Sequence, residues 1–206
     1  MANTSRINGF RVVRHLNGSP YNGQATLYYV ASAADEILVG DIAKLGGSAD
    51  ANGIPSADLC GATDVPIGVV VGIMYSKFDP VGKMTVGSTA LDLPAAAQIA
   101  ASGSGYILVA DSPDVIMEAE VNTGGTAFAA TDVGYNVRHA NGARTSSTTT
   151  SPAAIDSAVA PATTSTQNFQ LLGFVQRVNN EIGASAKVLV RFNVHQFQSV
   201  GTTGIA

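Results

Sequence analysis

The chain has 206 residues, enough for one large or two small domains. Hydrophobic residues make up 46% of it, which suits a sizeable core and excludes wholesale disorder. Acids outnumber bases by 15 to 11, so the basic surplus that nucleic-acid binding by counterion release requires is missing. Only 13% of residues are charged, 22 are glycine and none is tryptophan. That profile predicts a turn-rich β protein. Cys60 is the single cysteine, which excludes an intrachain disulfide and a multi-cysteine zinc site. It reads as a buried bystander thiol.

Residues 1–24 form a distinct segment. Arg6, Arg11 and Arg14 give it a charge of +3, with no acid before Asp35, and 8 bases against 15 acids leave −7 for the rest. Helical periodicity is absent, and Gly9, Gly18, Pro20 and Gly23 punctuate the segment. It is predicted to be an extended arm with a short strand at residues 10–13. Ile7, Phe10, Val12, Val13, Leu16 and Tyr21 argue against a merely solvated tail. The polar N-terminus has no apolar stretch after it, so no secretory signal is expected.

A β domain is expected over residues 25–198. Residues 25–30 are β-branched and aromatic, as a strand is. Residues 37–45 read as two short strands around a Gly40-Asp41 turn. Asp50-Ala51-Asn52-Gly53 lacks the downstream glutamate of a calcium loop and reads as a turn. Residues 67–74 do not alternate, which predicts a strand buried on both faces. Gly68 and Gly72 within it predict a bulge or a close backbone approach. This run is also far too short to cross a bilayer as a helix.

Residues 93–101, with Pro94 at the start and five alanines, form the only expected helix. Residues 105–110 and 115–121, joined by Asp111-Ser112-Pro113-Asp114, read as an antiparallel hairpin. Residues 141–168 are rich in Ser and Thr and carry only Arg144 and Asp156 as charges. They are expected to be a loop excursion outside the core. Two strands follow at 169–176 and 187–194, and 199–206 form a tail. The expected core is Leu27, Tyr29, Leu38, Ile42, Val69, Val71, Ile107, Val109, Ile116, Leu172, Phe174, Val188, Val190 and Phe192.

Chemistry is sparse. His15, His139 and His195 lie in no metal-binding motif, and no nucleophile elbow or phosphate-binding loop occurs. His139, at the edge of the Ser/Thr-rich segment, reads as solvated. His195 falls out of phase with Val190, Phe192 and Val194 and should face away from them. Asp35/Glu36 and Glu118/Glu120 are the only carboxylate pairs that invite an acid/base reading. Glu118 and Glu120 share one strand face, which predicts solvent exposure instead. No catalytic, cofactor-binding or metal-binding residue is assigned, and no cofactor is expected.

The opening Ser5-Arg6-Ile7-Asn8-Gly9-Phe10-Arg11 and His15-Leu16-Asn17-Gly18-Ser19-Pro20-Tyr21-Asn22-Gly23 resemble a family of tailed-bacteriophage virion proteins encoded near the major capsid gene. So do Val39-Gly40-Asp41, Pro66-Ile67-Gly68-Val69-Val70, Val109-Ala110-Asp111-Ser112-Pro113-Asp114, Leu172-Gly173-Phe174-Val175-Gln176-Arg177 and Leu189-Val190-Arg191-Phe192-Asn193-Val194-His195-Gln196. The resemblance covers nearly the whole chain. It implies a capsid decoration, or cement, protein: a mainly β, barrel or jelly-roll-like antiparallel domain bound outside the shell.

The implied partners are the major capsid protein and other copies of the chain, as a dimer or trimer, with no nucleic acid and no membrane. The implied location is the capsid exterior of the virion, after synthesis in the host cytoplasm. Alternatives are a head–tail, tail or fibre-associated part, or a displayed carbohydrate-binding module. On the decoration reading the arm contacts a neighbouring subunit through Arg6, Ile7, Phe10, Arg11, Val12, Arg14, Leu16 and Tyr21.

Overall fold

Two β layers share one wall. The structure, a computed structural model, describes residues 3–31, 33, 35–74, 98–99, 104–144 and 150–198. Their strands are β1 (Arg11–His15), β2 (Thr26–Val30), β3 (Ile37–Leu38), β4 (Ile42–Ala49), β5 (Pro55–Leu59), β6 (Gly68–Met74), β7 (Gln98–Ile99), β8 (Gly105–Ala110), β9 (Val115–Glu120), β10 (Asn136–Val137), β11 (His139–Ala140), β12 (Ala154–Ile155), β13 (Phe169–Phe174) and β14 (Lys187–Phe192). The described residues hold no α-helix, only a 3-10 turn at Ala130–Asp132. The protein is mainly β, as its composition predicts.

One layer is a closed barrel in the order β2-β5-β4-β6-β8, and the other a sheet in the order β1-β9-β14-β13-β10. The barrel is not wholly antiparallel, because β2 and β5 run parallel where Tyr29 meets Ser56. Strands β4 and β6 explain why residues 67–74 do not alternate. Ala43 and Val70 fill the barrel interior with Tyr28, Val30, Ile107 and Val109. Their neighbours Ile42 and Val69 face outward into a second core with Met117, Phe169, Val188 and Phe192 of the sheet. The barrel wall is therefore apolar on both faces over this stretch.

The two glycines of β6 fit their predicted roles. A Cβ on Gly68 would lie 2.3 Å from the Ala110 carbonyl oxygen. Gly72 sits where the β6–β8 register shifts. Asp50 closes the β4–β5 turn by accepting the Asn52 and Ile54 amides.

Several expectations need correction. Residues 105–110 and 115–121 are not a hairpin: β8 pairs with β2 and β6, whereas β9 pairs with β1 and β14. Each is a central strand of its own layer, and the connecting turn carries the chain from one layer to the other. In the expected helix, Gln98 and Ile99 instead pair with Leu38 and Ile37. The rest of that expectation lies outside the described residues, as does the tail from residue 199.

The Ser/Thr-rich segment is not all peripheral. Ala153 and Ile155 are buried in the second core, and β12 pairs with β11. Small apolar residues let this stretch pack despite its low complexity. Of the expected core, Leu27, Tyr29, Val71 and Leu172 are only half-buried. In β2 the opposite face, Tyr28 and Val30, points inward, and the Tyr28 hydroxyl donates to Asp111 at 2.9 Å. A register shift between Leu171 and Gly173 buries Leu171 in place of Leu172.

Candidate functional site

The eight arm residues assigned to a partner divide into two groups. Phe10 is 3% exposed and stacks on Phe169 with ring centroids 5.0 Å apart. Val12 is half-buried against the same core. Both serve the domain itself, so the arm is not a free extension. Strand β1 pairs antiparallel with β9, and the Phe10 amide donates to the Gly40 carbonyl. The Arg6 amide donates to both Glu120 carboxylate oxygens at 2.9 and 3.1 Å. Ile7 and Tyr21 are half-buried, and the Tyr21 ring lies 6.0 Å from that of His15. The side chains left outward are Arg6, Arg11, Arg14 and Leu16, joined by Val13.

Of these, Arg11, Val13 and Arg14 lie on a sheet edge, with Leu16 directly after it. Among the described residues, β1 has β9 on one side and on the other only a single bridge from Arg14 to Pro20. Val13 and Leu16 are 42% and 47% exposed. The unpaired backbone of an edge strand can template another chain, whereas edge charges and the register shift between Val12 and Arg14 restrict which chain can pair there. Beside it, a cleft of about 270 Å³ is lined by His15, Tyr21, Gln24, Thr26, Asp111 and Ser112. A second cleft, of about 410 Å³, lies between Asn3, Arg6, Arg177, Asn180, Glu181 and Lys187. Arg177 is held there in a two-point bond to Glu118, at 2.8 and 2.9 Å. Among the described residues no three His, Cys, Asp or Glu side chains come together as a metal site would need.

The polar interior is richer than the sequence reading anticipated. Asp41 is fully buried and accepts from the Leu38 amide at 2.7 Å, from Arg144 at 2.7 and 2.9 Å, and from the Ser151 hydroxyl. Arg144 also donates to the Glu36 carbonyl. This cluster ties the Ser/Thr-rich segment to the barrel. The segment's other charge, Asp156, pairs with Arg138 at 2.8 Å. Both charges in an otherwise uncharged stretch thus have buried or half-buried partners. Their isolation in the sequence is the signal that could have marked them.

Glu118 and Glu120 do not form the expected solvated face. Glu120 is buried, and its carboxylate accepts the Arg6 amide. Glu36 is buried while Asp35 is exposed. Cys60 is buried as expected, and burial pushes its thiol up to about 12.

Both outer histidine expectations fail. His139 is fully buried and meets the stacked pair of Phe10 and Phe169 edge-on, with ring centroids 6.4 and 5.9 Å away. Strand β14 ends at Phe192, and the chain then bends so that His195 turns inward onto that ring, 4.9 Å away. The imidazole Nε2 of His139 lies 3.0 Å from the Cys60 carbonyl oxygen, which can only accept, so Nε2 carries the proton. Burial is the main cause that lowers the His139 pKa, opposed by the Cys60 bond.

The folded state therefore binds fewer protons at this site than the unfolded chain. Through this histidine alone, stability should fall as pH drops below the unfolded value of about 6.5, by at most about 1.4 kcal/mol per pH unit, and His195 adds to the slope. Urea unfolding at pH 7.5 and 5.5 checks this, with His139→Gln expected to flatten the dependence.

No protein-family model matches the chain, and neither a curated protein nor a solved structure matches it.

Proposed function

We propose that the chain is a non-enzymatic structural protein of a tailed-phage virion. It coats the capsid exterior by binding the major capsid protein, and it associates with itself as a dimer or trimer. The observation that carries this reading is the outward side of β1. Phe10 and Val12 anchor the strand, so Arg11, Val13, Arg14 and Leu16 are presented on a rigid frame. Little entropy remains to be lost there on docking. A sheet edge of this kind can accept a strand from a neighbour, with main-chain bonds supplying affinity and side chains supplying register. The whole-chain resemblance in sequence supports the same reading.

The test mixes the full chain with undecorated particles of the encoding phage and measures copies bound per capsid subunit. Saturable binding in a fixed ratio to capsid protein is expected. The combined variant R11E/R14E/L16S should fold normally but bind at least tenfold more weakly. Binding at only a few copies per particle, or equal binding by the variant, would overturn the proposal.

A further inference from the structure

We propose that His195 is a proton-operated latch that holds residues 195–198 against the barrel. The geometry fixes its closed state. His195 is 1% exposed and sits between the Phe192 and Phe197 rings, at 4.9 and 5.6 Å. Its Nε2 lies 2.8 Å from the Ile67 carbonyl oxygen, so Nε2–H donates there. Its Nδ1 accepts the Phe197 amide at 3.1 Å. The Gln198 amide donates to the His195 carbonyl, and the Gln196 amide to that of Pro66. Only the neutral Nε2–H tautomer makes both imidazole bonds.

A second proton has one place to go, and it is the wrong one. On Nδ1 it would set an N–H against the Phe197 N–H and cancel that bond. It would also put a charge among Phe192, Phe197 and Ile67. Among the described residues, the charged group facing it is Asp111, in the connection between β8 and β9, whose carboxylate already accepts the Tyr28 hydroxyl. The other packed elements present the carbonyls of Pro66 and Ile67 and the two phenyl rings, none of which titrates. Asp111 favours the proton and burial opposes it. Burial is the larger effect and lowers the His195 pKa.

Opening is local because the latch lies beyond the sheet. Strand β14 ends at Phe192, and its ladders to β9 and β13 use residues 187–192. Residues 195–198 can turn outward and hydrate the imidazolium without breaking either ladder. His139 has no such exit, since Phe10, Phe169 and the Cys60 carbonyl enclose it. One histidine answers acid by a local release and the other only by unfolding.

Amide exchange on the full ¹⁵N-labelled chain between pH 7.5 and 5.0, corrected for intrinsic rates, tests this. Protection at Phe197 and Gln198 should fall up to tenfold per pH unit once His195 titrates. Protection at Val188 and Val190 should stay higher and fall separately. Imidazole ¹⁵N shifts should report the Nε2–H tautomer of His195 at pH 7.5. In His195→Gln, whose amide can still donate to Ile67 but does not titrate, the pH dependence at Phe197 should vanish. In His139→Gln it should persist. Phe197 protection that ignores pH, that falls only together with Val190, or that keeps its pH dependence in His195→Gln would overturn the latch.

Discussion

Asp41→Ala is expected to cost about 3–5 kcal/mol, because it strands the Arg144 guanidinium in the interior without its counter-charge. The Arg144 side chain is 8% exposed and that of Asp41 is not exposed at all. The substitution also orphans the Leu38 amide and the Ser151 hydroxyl. Domains of this kind are stable by about 5–15 kcal/mol, so about a fifth or more of the total is at stake. Urea unfolding gives the number. Limited proteolysis should show early cutting in the Ser/Thr-rich segment, which loses its tie to the barrel. Replacing Asp41 and Arg144 together by apolar residues of similar volume should cost far less than Asp41→Ala alone. If the double replacement is the worse of the two, the ion pair itself is the source of stability.

The second large effect concerns the arm. Phe10→Ala removes a ring stacked between the barrel and Phe169 and should cost about 3–5 kcal/mol. Deleting residues 2–20 removes that ring, strand β1 and the amide that satisfies Glu120. The truncated chain should therefore be unfolded or nearly so by circular dichroism and thermal melting. This reverses the outcome expected for a free extension, where the domain would stay folded and only partner binding would weaken. Leu16→Ser, on the exposed side, should change stability by no more than about 0.5 kcal/mol. A truncated chain that melts like the full one would show that β1 adds nothing to the fold.

What the sequence made legible was local. The strands at 26–30, 68–74, 169–174 and 187–192 lie where β-branched and aromatic residues gather, and Gly68 and Gly72 mark the close approach and the register shift. What escaped it depends on which elements meet. Nothing near Asp111-Ser112-Pro113-Asp114 distinguishes a hairpin turn from a passage between layers, because the same residue types suit both. His139 looked solvated beside a Ser/Thr-rich stretch, yet Phe10, some 130 residues earlier, closes over it. The +3 charge of the arm drew attention to its arginines, whereas its aromatic residue decides where it goes. The outward group of Arg11, Arg14 and Leu16 was legible because exposed cations need no tertiary partner to be recognised.

The order of strands in the sheet bears on how the chain matures as it leaves the ribosome. The barrel strands all lie within residues 26–110, so that layer can close while the rest is still being synthesised. The sheet cannot. Its middle strand, β14, ends at Phe192 and stands between β9 and β13. Until it emerges, β9 has one edge open and the outer face of β4 and β6 lacks the cover of Val188, Val190 and Phe192. A nascent chain halted before residue 187 should therefore hold a barrel with an incompletely covered apolar flank, the kind of surface that recruits chaperones or aggregates. Completion of the protein is then a late event, set by the arrival of one six-residue strand.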